Sequence, residues 1–300
     1  MVNEQVCAVV VTYNRKALLL ECLDAIIAQS HPLEQILLID NASTDGTADL
    51  LLEKGYLSNS LIKYLQLPDN IGGAGGFHEG IKWAFEQGFD WIWIMDDDSI
   101  AERNALAELL TAREKYDQEQ YPRLLASKVV WVDETLHPMN LPRVKTSEYC
   151  YLESLILASE KSMLSLRSTS FVSLLIHRTL VQQYGLPIAD YFIWSDDVEY
   201  TGRILRNEFG VLVPSSVVRH KTSEKSTPLN KLVFRYYYTT RNTMWMIIHS
   251  SAWSGKEKAQ VAASFLSLTR NYLLESRFNW TLIRSITLGF IDGVFKKPKL

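Results

Sequence analysis

The sequence predicts an α/β fold, a mostly parallel sheet flanked by helices and followed by a helical C-terminal extension. Three observations carry this. Short apolar runs that end in polar residues recur through the first 130 residues, at CAVVVTY (7–13), QILLID (35–40), LIKYLQL (61–67) and DWIWIMD (90–96), as buried strands do. Helix-spaced patterns separate them. KALLLECLDAIIAQ sets Leu19, Leu20, Leu23, Ile26 and Ile27 on one face, and GGFHEGIKWAFEQG and RNALAELLTAREKY follow suit. From about Leu229 the pattern turns helical to the end. Strand–helix alternation implies a parallel sheet, and ligands of such sheets sit at the carboxyl ends of the strands.

Taken in order, those strand ends are polar. They read TYNR (12–15), DNASTDGT (40–47), DNIGGAGG (69–76) and DDDS (96–99), so all four clusters should line one rim. Between Leu124 and His177 the pattern loosens, with ASKVVWVD and TSFVSLLIH read as strands and HPMNLPRVK as loop. Residues 189–210 read as an acid-bearing loop opening a helix that ends near Gly210, and VLVPSSVVRH follows. No Pro/Gly/Ser-rich linker interrupts the chain. We divide it into a sheet domain over 1–228 and a helical region over 229–300.

Three hundred residues, 47% of them hydrophobic, suffice for one large domain with an added segment. A net charge of -3 argues against a nucleic-acid partner, which would need a basic surface. Cys7, Cys22 and Cys150 are an odd set whose spacing fits neither a disulfide framework nor a zinc site, which points to a reducing, cytoplasmic setting. The N-terminus shows no secretion leader, and no apolar run approaches the roughly 20 residues of a membrane-spanning helix.

Four constellations could carry chemistry. In Asp96, Asp97 and Asp98, alternate side chains of an extended stretch point the same way, so Asp96 and Asp98 can converge on a hard cation such as Mg²⁺. The competing reading is an acidic turn capping a helix that starts near Glu102, with Ser99 as N-cap. Gly72, Gly73, Gly75 and Gly76 allow close backbone approach, yet match neither a dinucleotide fingerprint nor a Walker loop. A merely structural turn is the alternative. In WSDDVEY (194–200), neighbouring acids raise one another's pKa and suit a general base, or else simply cap a helix. His220, ending VVRH, is a possible metal ligand, although a lone histidine is usually not one.

In this order the pieces resemble an inverting glycosyltransferase of the GT-A fold, in family 2. DNIGGAGGF with DDD, WSDD and VVRH is most similar to the galactofuranosyltransferase branch, with rhamnosyltransferases close by, over about residues 6 to 245. The resemblance implies a UDP-sugar donor and a divalent cofactor, Mn²⁺ or Mg²⁺. It places Thr12, Asn14 and Arg15 near base and pyrophosphate, Asp40 at the uracil, and Asn70, Gly73, Asp96 and Asp97 around the nucleotide sugar. It implies Asp96, Asp98 and His220 as metal ligands and Asp197 as catalytic base, while Trp194, Asp196 and Glu199 would orient the acceptor.

The last third, with KLVFRYYYTTRNTMWMIIHSSAW carrying Lys231, Arg235 and Arg241 and the chain ending FKKPKL, suits a membrane interface. A lipid-linked glycan acceptor would lie there, at the inner face of the cytoplasmic membrane, and attachment would be peripheral. Packing on the catalytic domain or in a homo-oligomer is the alternative. The rival functions are a dTDP-rhamnose-dependent rhamnosyltransferase, a nucleotidyltransferase, whose Gly-rich basic loop TYNRKALL does not supply, and a non-catalytic sugar-nucleotide-binding protein.

Overall fold

The computed structural model describes residues 4–117, 120–146, 151–225 and 229–299, the side chains of 229–232 and 234 excepted. Cys150 and the Lys231 side chain lie outside the described residues. The first half alternates β1 (Val6–Thr12), α1 (Lys16–Ile27), β2 (Gln35–Asp40), α2 (Thr47–Glu53), β3 (Ile62–Gln66), α3 (Gly72–Gln87) and β4 (Trp91–Asp96). The second contains β5 (Ser99–Ala101), α4 (Ala105–Glu114), β6 (Leu124–Val130), β7 (Arg143–Val144), α5 (Leu152–Glu160), β8 (Leu164–Ser168), β9 (Leu174–His177), α6 (Arg178–Tyr184), α7 (Asp196–Leu205) and β10 (Gly210–His220). Three helices close the chain: α8 (Leu229–Ile248), α9 (Gly255–Glu275) and α10 (Trp280–Phe295).

One sheet runs β3-β2-β1-β4-β9-β6-β10-β8-β7, with β5 paired to β10. Its first four strands are parallel. The register sets Thr12 opposite Asp40, Val11 opposite Asp96 and Asp40 opposite Gln66, so these strand ends are level and form the expected rim. Every residue of β1 is buried. Val6, Ala8 and Val10 pack in the layer that contains Leu19 and Leu23 of α1, while Cys7, Val9 and Val11 pack in the layer of Phe77 and Ile81 of α3. A strand covered on both faces has no polar alternation, which is why its sequence is one apolar run.

Beyond β4 the sheet becomes mixed. β9 lies between β4 and β6, antiparallel to both, and takes only the last four residues of the segment read as a strand. The helix expected near Glu102 starts instead at Ala105. Ser99 caps nothing there; it belongs to β5, where it pairs with His220 of β10. That pairing brings a late histidine to the acidic rim.

The glycine run is the first turn of α3 rather than a free loop. A Cβ on Gly76 would lie 2.5 Å from Val11 Cγ1, and one on Gly80 2.4 Å from Val9 Cγ1, so these two glycines let α3 lie on β1. Gly72, at φ +77, backs onto the Phe192 carbonyl, whereas Gly73 faces open space. Packing accounts for Gly72, Gly76 and Gly80 but gives no reason for Gly73.

The aromatic residues of α8 that suggested an interface are largely interior. Trp245 and Met246, with Trp253 of the following turn, share a core cluster with Ile188 and Tyr191, and Tyr236 is also buried. α10 lies against α8 through Gly289 and Gly293, where a Cβ would meet the Tyr237 carbonyl and Met244 Cβ at 2.5 Å.

Gly76→Ala should therefore cost about 1–3 kcal/mol by forcing α3 off β1, while Gly73→Ala should leave the melting temperature unchanged or slightly raised. Thermal unfolding followed by circular dichroism checks both, and a Gly73→Ala variant that unfolds early would show that Gly73 too is there for packing.

Candidate active site

The rim gathers its acids by register and then has to hold them. Asp97 and Asp98 are buried, at 3% and 2% exposure, and so are not the solvated turn of the competing reading. Thr12 Oγ1 donates to Asp97 Oδ2 at 2.7 Å. Arg15, half exposed, reaches from the β1–α1 turn to Asp97 Oδ1 at 3.2 Å and Asp98 Oδ2 at 2.6 Å. His220 Nε2 meets Asp98 Oδ1 at 2.9 Å, and its Nδ1 faces Asn140 Oδ1 at 2.8 Å.

The electrostatics follow from burial. Desolvation pushes Asp97 up to about 7 against the opposing pull of Arg15. Desolvation and the Asp98 charge raise Asp96. Asp98 is the exception: burial would raise it, but the hydrogen bond and charge of His220, joined by Arg15, bring it below the ordinary carboxylate range. Burial likewise opposes a charged His220, and Asp98 more than offsets it, raising that pKa.

Among the described residues, Asp96, Asp98 and His220 each offer a ligand atom, and these atoms lie within 4.8 Å of one another. The set fits a divalent cation on its chemistry. With Nδ1 as the protonated nitrogen bonded to Asn140, the Nε2 lone pair faces a carboxylate oxygen, an arrangement that needs a proton or a cation between them. Asn140, which fixes that tautomer, lies in the segment read as plain loop.

The nucleotide-side residues surround the same rim. Asp40 is fully buried, its oxygens accepting from Ser43 N at 2.8 Å and Tyr64 OH at 2.6 Å. Asn14, at φ 54, ties the first strand end to the second, its backbone N–H donating to Ser43 Oγ and its Oδ1 accepting from Thr44 N at 2.7 Å. Asn70 is exposed and accepts from Gly72 N at 2.9 Å, at the start of α3. Asn41, missed by sequence reasoning, bonds the Gly72 carbonyl and the Ile71 N–H and so joins the second and third clusters.

The second acid pair opens α7. Asp196 is buried and its pKa stands well above normal, from desolvation and the Asp197 charge. Asp197 rises to about 6, chiefly from desolvation, with the Asp96 charge contributing and the Val198 N–H opposing. The Asp96 charge acts on both Asp196 and Asp197, which places the pair beside the triple aspartate. Trp194, half-buried, sits with the Arg235 guanidinium 5.9 Å from its ring. Glu199 is placed differently from expectation: at 1% exposure its carboxylate is held by Arg203 and by Ser250 Oγ at 2.8 Å, so it faces the interior instead of an acceptor.

The loop that delivers the pair is strained. Phe192, Trp194 and Ser195 all have φ between 63° and 69°, a region that costs a non-glycine residue roughly 1–2 kcal/mol. Asn242 of α8, wholly buried, holds it by donating to the carbonyls of Tyr191 at 3.1 Å, Ile193 at 2.9 Å and Trp194 at 2.8 Å. Arg241 adds bonds to the Asp190 and Tyr191 carbonyls at 2.7 and 2.9 Å. Asn242 belongs to no motif and only the tertiary structure reveals it, whereas Arg241, read from the sequence as an interfacial cation, turns to these carbonyls instead.

Levelled parallel strands carrying a triple aspartate, with a second carboxylate pair opening a helix beside it, define the class: the chain is a glycosyltransferase of the GT-A fold. TarS 1–349 of S. aureus in complex with UDP-GlcNAc matches it with a TM-score of 0.60 at 16% identity, over 97% of this chain and 81% of that one. The mannosyltransferase PcManGT of Pyrobaculum calidifontis, in complex with GDP-Man and Mn²⁺, matches with a TM-score of 0.57 at 16% identity, over 98% and 88%. Such likenesses establish the fold. Residues 7–154 match the Glycosyl transferase family 2 model, and the N-terminal half of this chain is a domain of that family. Galactofuranosyltransferase GlfT1 of Mycolicibacterium smegmatis is 29% identical, over 76% of this chain and 74% of that protein.

Removing the three bonds of Asn242 should relax the strained loop. In Asn242→Ala we expect a melting temperature lower by about 2–6 °C and, well below that temperature, turnover reduced more than about tenfold because the Asp196–Asp197 pair is displaced. A variant that is less stable but fully active would mean that the loop keeps its shape without the clamp.

Proposed function

We propose that the protein is an inverting, metal-dependent transferase that moves galactofuranose from UDP-galactofuranose to a hydroxyl of a growing, lipid-linked cell-surface glycan. The observation that carries the reaction class is the juxtaposition of a metal-suited Asp-Asp-His set with a buried carboxylate, Asp197, whose pKa lies near 6. The relationship to GlfT1 supports the choice of sugar, and the UDP-GlcNAc in the TarS structure is compatible with a UDP donor.

In this reading Thr12, Asn14, Arg15, Asp40, Asn70 and Gly73 receive the nucleotide diphosphate along the rim. Asp96, Asp98 and His220 would hold Mn²⁺ or Mg²⁺, which supplies positive charge to a departing diphosphate. Asp197 accepts the proton of the acceptor hydroxyl as its oxygen bonds to the anomeric carbon. The bond from that carbon to the diphosphate oxygen breaks on the opposite side, its electron pair leaves with UDP, and the configuration inverts. Trp194 offers a ring face to the acceptor sugar, and Asp196, whose buried carboxyl holds its proton more tightly than usual, can hydrogen-bond to it.

The base must be ionised to act. Because its pKa is raised to about 6, kcat/KM should fall as pH drops through about 6 and level off above it, and Asp197→Asn should abolish that limb together with at least about 10²-fold of the turnover while UDP still binds. A pH–rate profile of both proteins, with UDP affinity by calorimetry, measures this; retained turnover in the variant would remove Asp197 from the base role.

The donor is tested by assaying the purified protein, stripped with chelator and restored with Mn²⁺ or Mg²⁺, against UDP-galactofuranose and dTDP-rhamnose. We expect turnover with the first donor only and none without a divalent ion. Turnover with dTDP-rhamnose would reassign the sugar.

A further inference from the structure

α10 has two apolar faces. Its inner one, with Leu282, Gly289 and Gly293, lies against α8. Its outer one carries Trp280, Arg284, Thr287, Leu288, Ile291 and Phe295, all exposed, and offsets of 4, 7, 8, 11 and 15 from Trp280 put them on a single stripe. Trp280 and Phe295, at its two ends, are 77% and 79% exposed. An exposed stripe of large apolar residues, broken only by Arg284 and Thr287, needs a partner.

Charge selects the partner. Residues 255–300 hold eight Lys and Arg against three acids, a local charge of +5 in a chain whose net charge is -3. Arg284 lies within the stripe, and Lys297 and Lys299 follow its end, both exposed. Two of the three acids are already engaged, Glu257 by Arg167 and Asp292 by Tyr237 and Lys296. A second copy seated face to face would bring these cations together. An anionic surface neutralises them, and indole and phenyl rings flanked by basic residues suit its headgroup region.

The stripe also leads to the site. At its C-terminal end the Lys296 carbonyl accepts from the Trp245 indole at 2.7 Å, and the Lys299 N–H donates to Asp190 Oδ2 at 2.8 Å. Asp190 opens the loop that delivers Asp196 and Asp197. Among the described residues no helix is long and apolar enough to cross a membrane, so the contact is one of lying on the surface.

We propose that the outer face of α10 docks on the surface of an anionic phospholipid bilayer, setting the 189–195 loop beside it, where a lipid-anchored acceptor would be presented. The docking stands on the stripe and its charge, while its use in presenting acceptor rests on the transferase reading above.

The test is co-sedimentation of the full chain with vesicles of phosphatidylcholine alone or with about 30% phosphatidylglycerol. We expect binding to the anionic vesicles only, weakened about tenfold or more by Trp280→Ser with Phe295→Ser and, independently, by Lys297→Glu with Lys299→Glu, with turnover on a water-soluble acceptor unchanged in both pairs. Equal sedimentation of wild type and both variants, or none at all, overturns the proposal. So does a wild-type dimer in light scattering that the Trp280→Ser, Phe295→Ser variant dissolves, since a second copy would then cover the stripe. A protein that sediments as expected yet transfers no sugar to any acceptor leaves the docking face standing and removes the transferase reading.

Discussion

The repulsion among carboxylates at one sheet rim is the constraint around which the rest of the structure is arranged. Asp96, Asp97 and Asp98 are brought together because β4 is buried along its apolar length and must surface at its carboxyl end. Left uncompensated, buried charges of one sign would push the strand ends apart. The ties that prevent this come from elsewhere in the chain: Thr12 and Arg15 from the end of β1, His220 from the end of β10, and Asn140 behind His220. The same contacts that make the rim tolerable therefore lock three strand ends into register. Even so, Arg15 and His220 are the only cationic side chains bonded to these acids among the described residues, which leaves the rim short of positive charge and suited to a divalent ion.

Support for the second acid pair comes from the opposite direction. Three left-handed residues before α7 cost roughly 1–2 kcal/mol each, and each hydrogen bond from Asn242 and Arg241 returns about 0.5–1.5 kcal/mol. The two quantities are of the same size, so the loop keeps its shape only while α8 is seated. Further bonds seat it: Ser250 to Glu199, and Arg167 to Glu257 and to the Gly202 and Ala252 carbonyls. The C-terminal helices are thus part of the frame of the site. Glu199, expected to face an acceptor, serves this frame instead.

Much of the first half was legible because parallel strands advertise themselves. β1, β2, β3 and β4 fall within a residue or so of the apolar runs, and the rule that ligands gather at carboxyl ends brought Thr12, Asp40 and Asp96 to one rim before any coordinates. What stayed hidden was non-local. The segment holding β9 reads as a strand, but nothing in LLIH says it runs against its neighbours. Arg203, four residues after Glu199, was a signal of an intrahelical ion pair that could have turned Glu199 inward. The α8 aromatics lie on several sides of the helix, so pattern alone could not separate a core from an interface. Asn140 and Asn242 are single polar residues, and a single asparagine has no meaning until the carbonyls it faces are known.

The two acids that open α7 show how one fold separates neighbours of identical chemistry. Both are desolvated, and both lie in the first helical turn, where the helix favours negative charge. Asp196 is more deeply buried and feels Asp197, so its pKa stands well above normal, while Asp197 accepts the Val198 N–H and rises only to about 6. Burial and the neighbouring charge therefore hold a proton on Asp196 more tightly than on Asp197. The charge of Asp96 acts on both carboxyls and adds to the effect of burial. Two adjacent carboxyls of identical chemistry are thus separated by their surroundings, because burial acts on both while the Val198 N–H favours the charged form of Asp197.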